Sequence, residues 1–268
     1  MAQYQFGFIG TGTMGGALAR AAAHSIDPKG IILSNRTREK AARLAEELGC
    51  ACGTNEDAAQ ARFVVLGVKP QMMADMLAKI APVLAARRDH FVLVSMAAGL
   101  TMARICAMAG GEYPVIRVMP NTPIAVGQGM VLMSVNDKVS EADRADFLAS
   151  MRWAGRFDAL DERLIDAGSA VSGCGPAYAY MFIEALADGG VTIGLPRAKA
   201  MEYAAGMLQG AAALLLESGQ HPGALKDAVC SPGGATIAGV RALEEKSFRA
   251  ACTNAVIAAY ERTMELGK

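Results

Sequence analysis

The sequence has no excess of charge of either sign. Its 26 Lys and Arg residues balance 26 Asp and Glu residues, so the formal net charge at pH 7 is zero. Proteins that bind nucleic acid usually carry a basic excess. An aromatic content of only 6% also leaves few side chains on which single-stranded bases could stack. The composition therefore predicts that the chain binds no nucleic acid.

The six cysteines form neither a metal-ligand pattern nor a disulfide framework. No CxxC occurs, and the spacing fits no zinc motif. Cys50 and Cys52 are interpreted as two small buried side chains rather than as a ligand pair. We therefore expect free thiols, a cytoplasmic location and no bound metal.

Long hydrophobic runs are also missing. The longest uncharged window, residues 118–136, contains two prolines and several polar side chains, so it is a poor candidate for a membrane span. The N-terminal residues lack the basic start and the length of a signal peptide. We expect no membrane association. The hydrophobic fraction of 53% nevertheless predicts a large folded core.

Short apolar runs alternate with helical patterns through the first half of the chain. This alternation predicts an α/β domain, residues 1–158, with a Rossmann-type, doubly wound parallel sheet. The predicted strands are 6–9, 31–33, 63–66, 91–94 and 115–118, with a further strand at 130–135. The predicted helices are 14–23, 37–48, 72–84 and 101–109.

After Trp153 the sequence predicts only helices, which form an all-α domain over residues 159–268. The predicted helices are 177–191, 197–217, 222–229 and 235–245, followed by one whose apolar stripe is Phe248, Cys252, Val256, Tyr260 and Met264. Helices that are apolar nearly all round need burial on several sides. We therefore expect an extensive interface between subunits.

A glycine motif follows the first predicted strand and opens the first helix. It is GxGxxG, formed by Gly10, Thr11, Gly12, Thr13, Met14 and Gly15. The first glycine permits a tight turn, the second lets a pyrophosphate approach the backbone, and the third lets helix and strand pack closely. The N–H groups at the start of the helix favour phosphate. The motif predicts a dinucleotide site.

The end of the second strand indicates which dinucleotide. An NAD site usually places Asp or Glu there, whereas this chain has Asn35, Arg36 and Thr37. A guanidinium binds a 2′-phosphate that a carboxylate would repel. We therefore predict NADPH, with NADH less favoured; the alternative is that the arginines are only solvated.

Two further segments follow the third and fourth strands. They are Val68-Lys69-Pro70 and Met96-Ala97-Ala98, and both lie where ligands bind in open α/β sheets. Lys69 is a candidate for a cofactor phosphate or a substrate carboxylate, with an ordinary surface lysine as the alternative. The small residues of the second segment would let a nicotinamide ring approach the backbone.

These motifs, with others further along, resemble those of the pyrroline-5-carboxylate reductase family. The matching segments include Arg117–Pro123 and Ser172–Tyr178, and the most specific piece is His221–Asp227 running into Ser231–Thr236. The resemblance covers nearly the whole chain. It implies reduction of L-1-pyrroline-5-carboxylate to L-proline with NADPH, in a homodimer or a larger ring of dimers.

The resemblance also assigns roles to individual residues. The implied cofactor contacts are Thr11, Thr13, Met14, Asn35, Asn55, Val68, Lys69 and Met96–Ala98. The implied substrate contacts are Glu162, Ala235 and Thr236, with the Ser169 hydroxyl near the imine. Ser169 and Thr236 are the predicted catalytic residues. Cys174 and Ala228 depart from the Ser and Asn that the family often has there.

The substrate implied by the family carries a carboxylate. Gly233 and Gly234 lead into a predicted helix, whose first N–H groups, at Ala235 and Thr236, would receive that anion. A ligand-free helix start is the alternative. Ser169 or Glu162 would supply or orient the proton for the imine, unless the iminium is taken from solution.

Two other functions remain as alternatives. A β-hydroxyacid dehydrogenase shares the two-domain plan but needs a catalytic Lys after the glycine turn, and residues 176–182 contain none. A catalytically silent NADPH-binding protein would keep the glycine motif, but would not need the Ser231–Thr236 segment that this chain retains.

Overall fold

The computed structural model describes residues 3–266, and the chain divides into two compact units. The first unit comprises Met1–Cys174 and Ala259–Lys268, and the second comprises Gly175–Ala258. Across residues 3–266, no helix combines the length and apolar character that a membrane crossing requires.

The first unit is built on one eight-stranded sheet. Its strands are β1 (Phe6–Ile9), β2 (Ile31–Ser34), β3 (Ala51–Cys52), β4 (Phe63–Leu66), β5 (Val92–Ser95), β6 (Val115–Met119), β7 (Gly129–Val135) and β8 (Gly155–Ala159). Their order is β3-β2-β1-β4-β5-β6-β7-β8. All neighbours pair in parallel except β6 and β7, which are antiparallel. The predicted doubly wound parallel sheet is confirmed.

Helices cover both faces of this sheet. They are α1 (Thr13–Ser25), α2 (Arg38–Leu48), α3 (Asn55–Ala58), α4 (Met73–Ala86), α5 (Met102–Ala109), α6 (Glu141–Ser150) and α7 (Glu162–Ser172). Because successive strand side chains point to opposite faces, Phe63 and Val65 pack with α1, α2 and α6. Val64 and Leu66 pack with α4 and α5 on the other face. Strands buried on both faces explain the continuous apolar runs in the sequence.

The second unit contains only helices. They are α8 (Gly175–Thr192), α9 (Arg197–Ser218), α10 (Pro222–Ala228), α11 (Ala235–Glu245) and the start of α12 (Phe248–Leu266). Few of its side chains are buried, whereas large apolar ones such as Met181, Ile193 and Leu216 are exposed. Apolar surface on this scale indicates that another subunit covers it.

The prediction that no strand follows Trp153 is wrong. β8 covers Gly155–Ala159 and pairs with β7 at the edge of the sheet. An edge strand with polar residues at alternate positions gives a weak apolar signal, which explains the miss. The short β3 and the helices α3, α6 and α7 were not predicted either.

The first unit also extends further along the chain than the predicted boundary at residues 158/159. Helix α7 lies beyond that boundary, but its Ile165 is fully buried in a cluster with Met119 and Leu132. That packing fixes α7 to the sheet, so the compact unit continues to Cys174.

Candidate active site

The predicted cofactor residues lie together at one edge of the sheet. They follow the carboxyl ends of the parallel strands β1, β2, β3, β4 and β5, which all end at the same edge. The structure therefore brings these residues together: Gly10–Gly15 after β1, Asn35–Thr37 after β2, Asn55 in α3, Val68–Pro70 after β4 and Met96–Ala98 after β5. Ligands of open α/β sheets bind at this edge.

Each glycine of the motif after β1 has its own role. Gly10 has a φ of +100°, and a Cβ on it would lie 2.6 Å from the carbonyl oxygen of Gly67. A Cβ on Gly15 would lie 2.0 Å from the carbonyl oxygen of Gly10. A Cβ on Gly12 would have no atom within 4 Å. Gly10 and Gly15 therefore permit close packing, whereas Gly12 leaves open space beside the backbone.

The N-terminus of α1 fits a phosphate group. Its N-cap is Gly12, which offers no side chain to cap the first N–H groups, and its first turn contains no acidic residue. The hydroxyl oxygen of Thr11 is buried without a hydrogen-bond partner. Unpaired donors and the positive end of the helix dipole favour an anion here. These residues fit the pyrophosphate of a dinucleotide.

Side-chain amides organise the end of β2. The backbone N–H of Thr11 donates to Oδ1 of Asn35 over 3.2 Å, and Nδ2 of Asn35 donates to the carbonyl oxygen of Thr37 over 3.1 Å. The hydroxyl of Ser34 donates to Oδ1 of Asn55 over 2.6 Å. Arg36 is exposed beside them, with Nη1 3.9 Å from Sδ of Met72. This guanidinium is available for a 2′-phosphate.

The segments after β4 and β5 differ in character. Lys69 is exposed, and its amine has no hydrogen bond or ion pair with any residue in the 3–266 range. Ala97 is buried, whereas Met96 and Ala98 are half-buried. Gly99, which follows them, has a φ of +72°, a conformation that favours glycine. A cation and a small-residue surface therefore border the same edge of the sheet.

Three charged side chains lie next to the segment after β5. Arg117 of β6 is almost completely buried, and its Nη2 lies 2.7 Å from Oδ1 of Asp166. The same oxygen accepts the backbone N–H of Gly99 over 3.1 Å. Glu162 Oε1 accepts the N–H of Met102 over 2.7 Å and lies 3.6 Å from Nη1 of Arg117. Glu162, predicted as a substrate contact, therefore caps α5 through this oxygen.

Ser169 lies two turns after Glu162 on α7 and is nearly buried, with 8% of its surface exposed. Its hydroxyl has no hydrogen-bond partner among residues 3–266. A Cβ on Gly173 would lie 2.6 Å from that hydroxyl oxygen and 2.8 Å from the Ser169 carbonyl oxygen. The absence of a side chain at Gly173 therefore leaves the hydroxyl unobstructed.

Helix α7, which carries these groups, has a well-formed N-terminus. Asp161 is its N-cap and accepts a hydrogen bond from the backbone N–H of Arg163 over 2.9 Å. The side chain and backbone of Arg163 together hold the pKa of Asp161 at about 2. An ionised N-cap is favourable at the positive end of the helix dipole. The N-terminus of α7 therefore has its own cap next to Glu162, which belongs to the cluster around Arg117.

The second unit carries the remaining predicted substrate residues. Gly233 has a φ of +69°, and Gly234 is the N-cap of α11 without a side-chain cap. Ala235 and Thr236 begin the helix and are exposed, and its first turn contains no acidic residue. A Cβ on Gly234 would lie 2.3 Å from the Ser231 hydroxyl oxygen. This helix start is suited to a carboxylate.

Arg117 and Asp166 carry no role in the sequence-based predictions. A signal was available, because an arginine inside the apolar run of β6 must be buried, and a buried charge needs a partner. All six cysteines are free. Over the described range, no three His, Cys, Asp or Glu side chains cluster in a way that could hold a metal ion.

Two family models match the chain. The model described as pyrroline-5-carboxylate reductase dimerisation matches residues 162–266. The model described as NADP oxidoreductase, coenzyme F420-dependent, matches residues 5–99. The first spans the helical part of the chain from α7 onward, and the second spans the edge of the sheet that carries the glycine motif.

Similar proteins are found among both characterised sequences and solved structures. The pyrroline-5-carboxylate reductase of Escherichia coli (strain K12) is 41% identical over 98% of each chain. That of Pisum sativum is 42% identical over 98% of this chain and 96% of its own. The NADP-bound crystal structure of the Plasmodium falciparum enzyme matches with a TM-score of 0.89, at 32% identity and full coverage of both chains. The chain belongs to the pyrroline-5-carboxylate reductase family.

Proposed function

We propose that this chain is an oxidoreductase that reduces L-1-pyrroline-5-carboxylate to L-proline with NADPH. The observation that carries this function is the 41% identity to a pyrroline-5-carboxylate reductase over 98% of both chains. The reaction belongs to proline biosynthesis. The β-hydroxyacid dehydrogenase and the silent NADPH-binding protein are both less well supported than this family assignment.

When bound, NADPH supplies the hydride that reduces the imine carbon. The chain provides the N-terminus of α1 and the open space at Gly12 for the pyrophosphate. Arg36 would hold the 2′-phosphate, which favours NADPH over NADH, and Asn35 would fix the end of β2 against the glycine turn beside it. Lys69 adds a second cation at this edge. The small side chains at Ala97 and Ala98 leave room for a flat ring.

The chain also provides groups suited to the substrate. The backbone N–H groups at Ala235 and Thr236 would bind its carboxylate, with the hydroxyl of Thr236 as a further donor. Gly233 and Gly234 keep the approach to this helix start free of side chains. Glu162 would contact the substrate through the carboxylate oxygen that does not cap α5.

The imine accepts a hydride more readily when it is protonated, so the site needs a source of that proton. The hydroxyl of Ser169 is the candidate, because it is nearly buried and makes no hydrogen bond to the described chain. The alternative is that the iminium arrives from solution. In that case Ser169→Ala leaves kcat and its pH profile unchanged, whereas a proton-supplying role predicts a loss of about tenfold or more.

The chain self-associates, since residues 162–266 match a dimerisation model and the second unit leaves large apolar side chains exposed. We propose a homodimer, with a ring of dimers as the larger alternative, and a cytoplasmic location supported by the six free cysteines. We also propose that residues 159–268 act as the substrate and dimerisation domain, and residues 1–158 as the NADP-binding domain. Neither nucleic acid nor membrane is a partner in this proposal.

The direct test mixes the purified chain with NADPH and L-1-pyrroline-5-carboxylate. The expected result is oxidation of NADPH that depends on the imine, with one L-proline formed per NADPH. A parallel reaction with a β-hydroxyacid and NADP⁺ tests the rival dehydrogenase. Binding of NADPH without any turnover of the imine would contradict the proposed function.

A further inference from the structure

The segment after β5 is held by charged side chains of β6 and α7. Asp166 Oδ1 accepts the N–H of Gly99 over 3.1 Å and faces Nη2 of Arg117 over 2.7 Å. Glu162 Oε1 accepts the N–H of Met102 over 2.7 Å. The segment between the end of β5 and the start of α5 is therefore tied to α7 at two backbone positions.

Arg117 gives this arrangement its rigidity. Its side chain is only 1% exposed, so its charge depends on the carboxylates of Asp166 and Glu162. Each carboxylate in turn uses the oxygen that faces Arg117 to accept a backbone N–H. Arg117 therefore holds Asp166 through a short, directional, charge-assisted hydrogen bond and faces Glu162 in an ionic contact at 3.6 Å. The two carboxylates in turn bind the backbone of the loop.

We propose that Arg117 and Asp166 are positioning residues for hydride transfer. The inference rests on the proposed function, in which Met96–Ala98 border the nicotinamide. Gly99 directly follows that segment, has a left-handed φ of +72°, and donates its N–H to Asp166. If the Met96–Ala98 segment moves by about 1 Å, the misplacement is enough to lower the rate of hydride transfer up to a hundredfold.

The chain contains a matched pair that serves as a control. Asp143 is also a buried carboxylate that faces an arginine, with Nη2 of Arg62 2.8 Å from its Oδ1. Its other partners are Ser140 and His90, and it makes no hydrogen bond to any predicted cofactor residue. Removing the charge of Asp143 should destabilise the first unit without changing any contact to the segment after β5. This variant therefore shows how much destabilisation alone lowers catalysis.

The test compares Asp166→Asn and Arg117→Lys with Asp143→Asn. For each purified protein, the urea midpoint, kcat, the KM for NADPH, and the binding of adenosine 2′,5′-bisphosphate are measured. This bisphosphate probes the part of the cofactor site around Arg36 and does not carry a nicotinamide. We expect Asp166→Asn to lower kcat at least tenfold and to weaken NADPH binding, with unchanged affinity for the bisphosphate. Arg117→Lys retains the positive charge, so its kcat and its NADPH binding should fall less than those of Asp166→Asn.

The control separates positioning from stability. Asp143→Asn should lower the urea midpoint and leave kcat within about twofold of the wild-type value. The inference is overturned if Asp166→Asn and Asp143→Asn lose activity only in proportion to their stability, or if Asp166→Asn weakens both ligands equally. If Asp166→Asn does not fold, Arg117→Lys gives the same comparison, and an unchanged kcat in that variant contradicts the inference.

Failure of the proposed function gives a different result. If the wild-type chain binds NADPH but does not reduce the imine, the proposed function is wrong. The ratio of NADPH affinity to bisphosphate affinity still tests the positioning role in that case. A ratio that is the same in the wild type and in Asp166→Asn would then contradict the role of Asp166.

Discussion

The backbone N–H of Thr11 donates a hydrogen bond to Oδ1 of Asn35 over 3.2 Å. This contact joins the glycine turn after β1 to the end of β2, so the proposed pyrophosphate and 2′-phosphate sites keep a fixed separation. The other end of the Asn35 amide donates to the carbonyl oxygen of Thr37. Asn35 is thereby engaged with the backbone, which leaves Arg36 as the cation available to the 2′-phosphate.

The first prediction concerns the choice of cofactor. Arg36→Asp replaces the exposed guanidinium by a carboxylate that repels a 2′-phosphate and can accept the ribose hydroxyls of NADH. We expect the ratio of kcat/KM for NADPH to that for NADH to fall by at least tenfold, measured by steady-state kinetics with both cofactors. Arg43→Asp makes the same charge change on the exposed surface of α2 and should leave the ratio unchanged. An unaltered ratio in Arg36→Asp would contradict the assigned role.

The buried strands of the first unit were predictable because they consist of short runs of apolar residues. Parallel strands that are buried on both faces need continuous apolar runs, and β1 and β4 match the predicted bounds to the residue. β8 was not predictable in this way, because an edge strand such as Gly155–Ala159 has little apolar surface to bury. Helix α7 was also missed, since only Ile165, Ser169 and Ala170 in it are buried.

The candidate site was predictable only in part. The glycine motif and Arg36 are local in sequence, so they could be interpreted from spacing and residue type alone. Arg117, Glu162 and Asp166 form a cluster in space but not in sequence. The hydrogen bond between Arg117 and Asp166 joins residues that are 49 positions apart in the chain. A single sequence shows that Arg117 needs a partner but does not show which carboxylate meets it. Folding of α7 onto the sheet decides that.

The second prediction concerns the substrate carboxylate. Thr236→Val removes a hydroxyl at the start of α11 and keeps a side chain of similar shape. If that hydroxyl donates to the substrate carboxylate, its loss costs about 1.5–3 kcal/mol, so the KM for the imine should rise at least tenfold with little change in NADPH binding. Thr192→Val, also in the second unit, removes a hydroxyl that donates to the carbonyl oxygen of Asp188. That variant should keep the wild-type KM.

The third prediction concerns acid stability. Burial raises the pKa of Asp143, but hydrogen bonds from Ser140 and His90 outweigh this effect and hold the pKa below its usual range. A carboxyl whose pKa is lower in the folded state stabilises the fold above its unfolded pKa of about 3.9, and this stabilisation is lost as the pH falls through the folded value. Asp143→Asn should therefore unfold about 2 kcal/mol more easily than the wild type at pH 7.

Urea denaturation at several pH values checks this prediction. The difference between the wild type and Asp143→Asn should shrink as the pH falls from about 5 towards 3. Asp146→Asn is the control, because Asp146 is more exposed and lies 3.4 Å from the same arginine, Arg62. Its effect should stay below about 1 kcal/mol at every pH. A difference that is independent of pH would exclude the ionised Asp143 as the cause.

The fourth prediction concerns self-association through the second unit. Tyr203, Met207 and Leu214 are exposed on α9 at spacings of four and seven residues, so they share one face of the helix. Leu214→Glu places a charge on this face, which would have to be desolvated in an interface between subunits. We expect a shift to a smaller species in sedimentation velocity at micromolar concentration, with loss of imine reduction in the same fractions. Gln209→Glu adds the same charge on another face of α9 and should keep the wild-type assembly. An unchanged sedimentation coefficient for Leu214→Glu would show that the interface lies elsewhere.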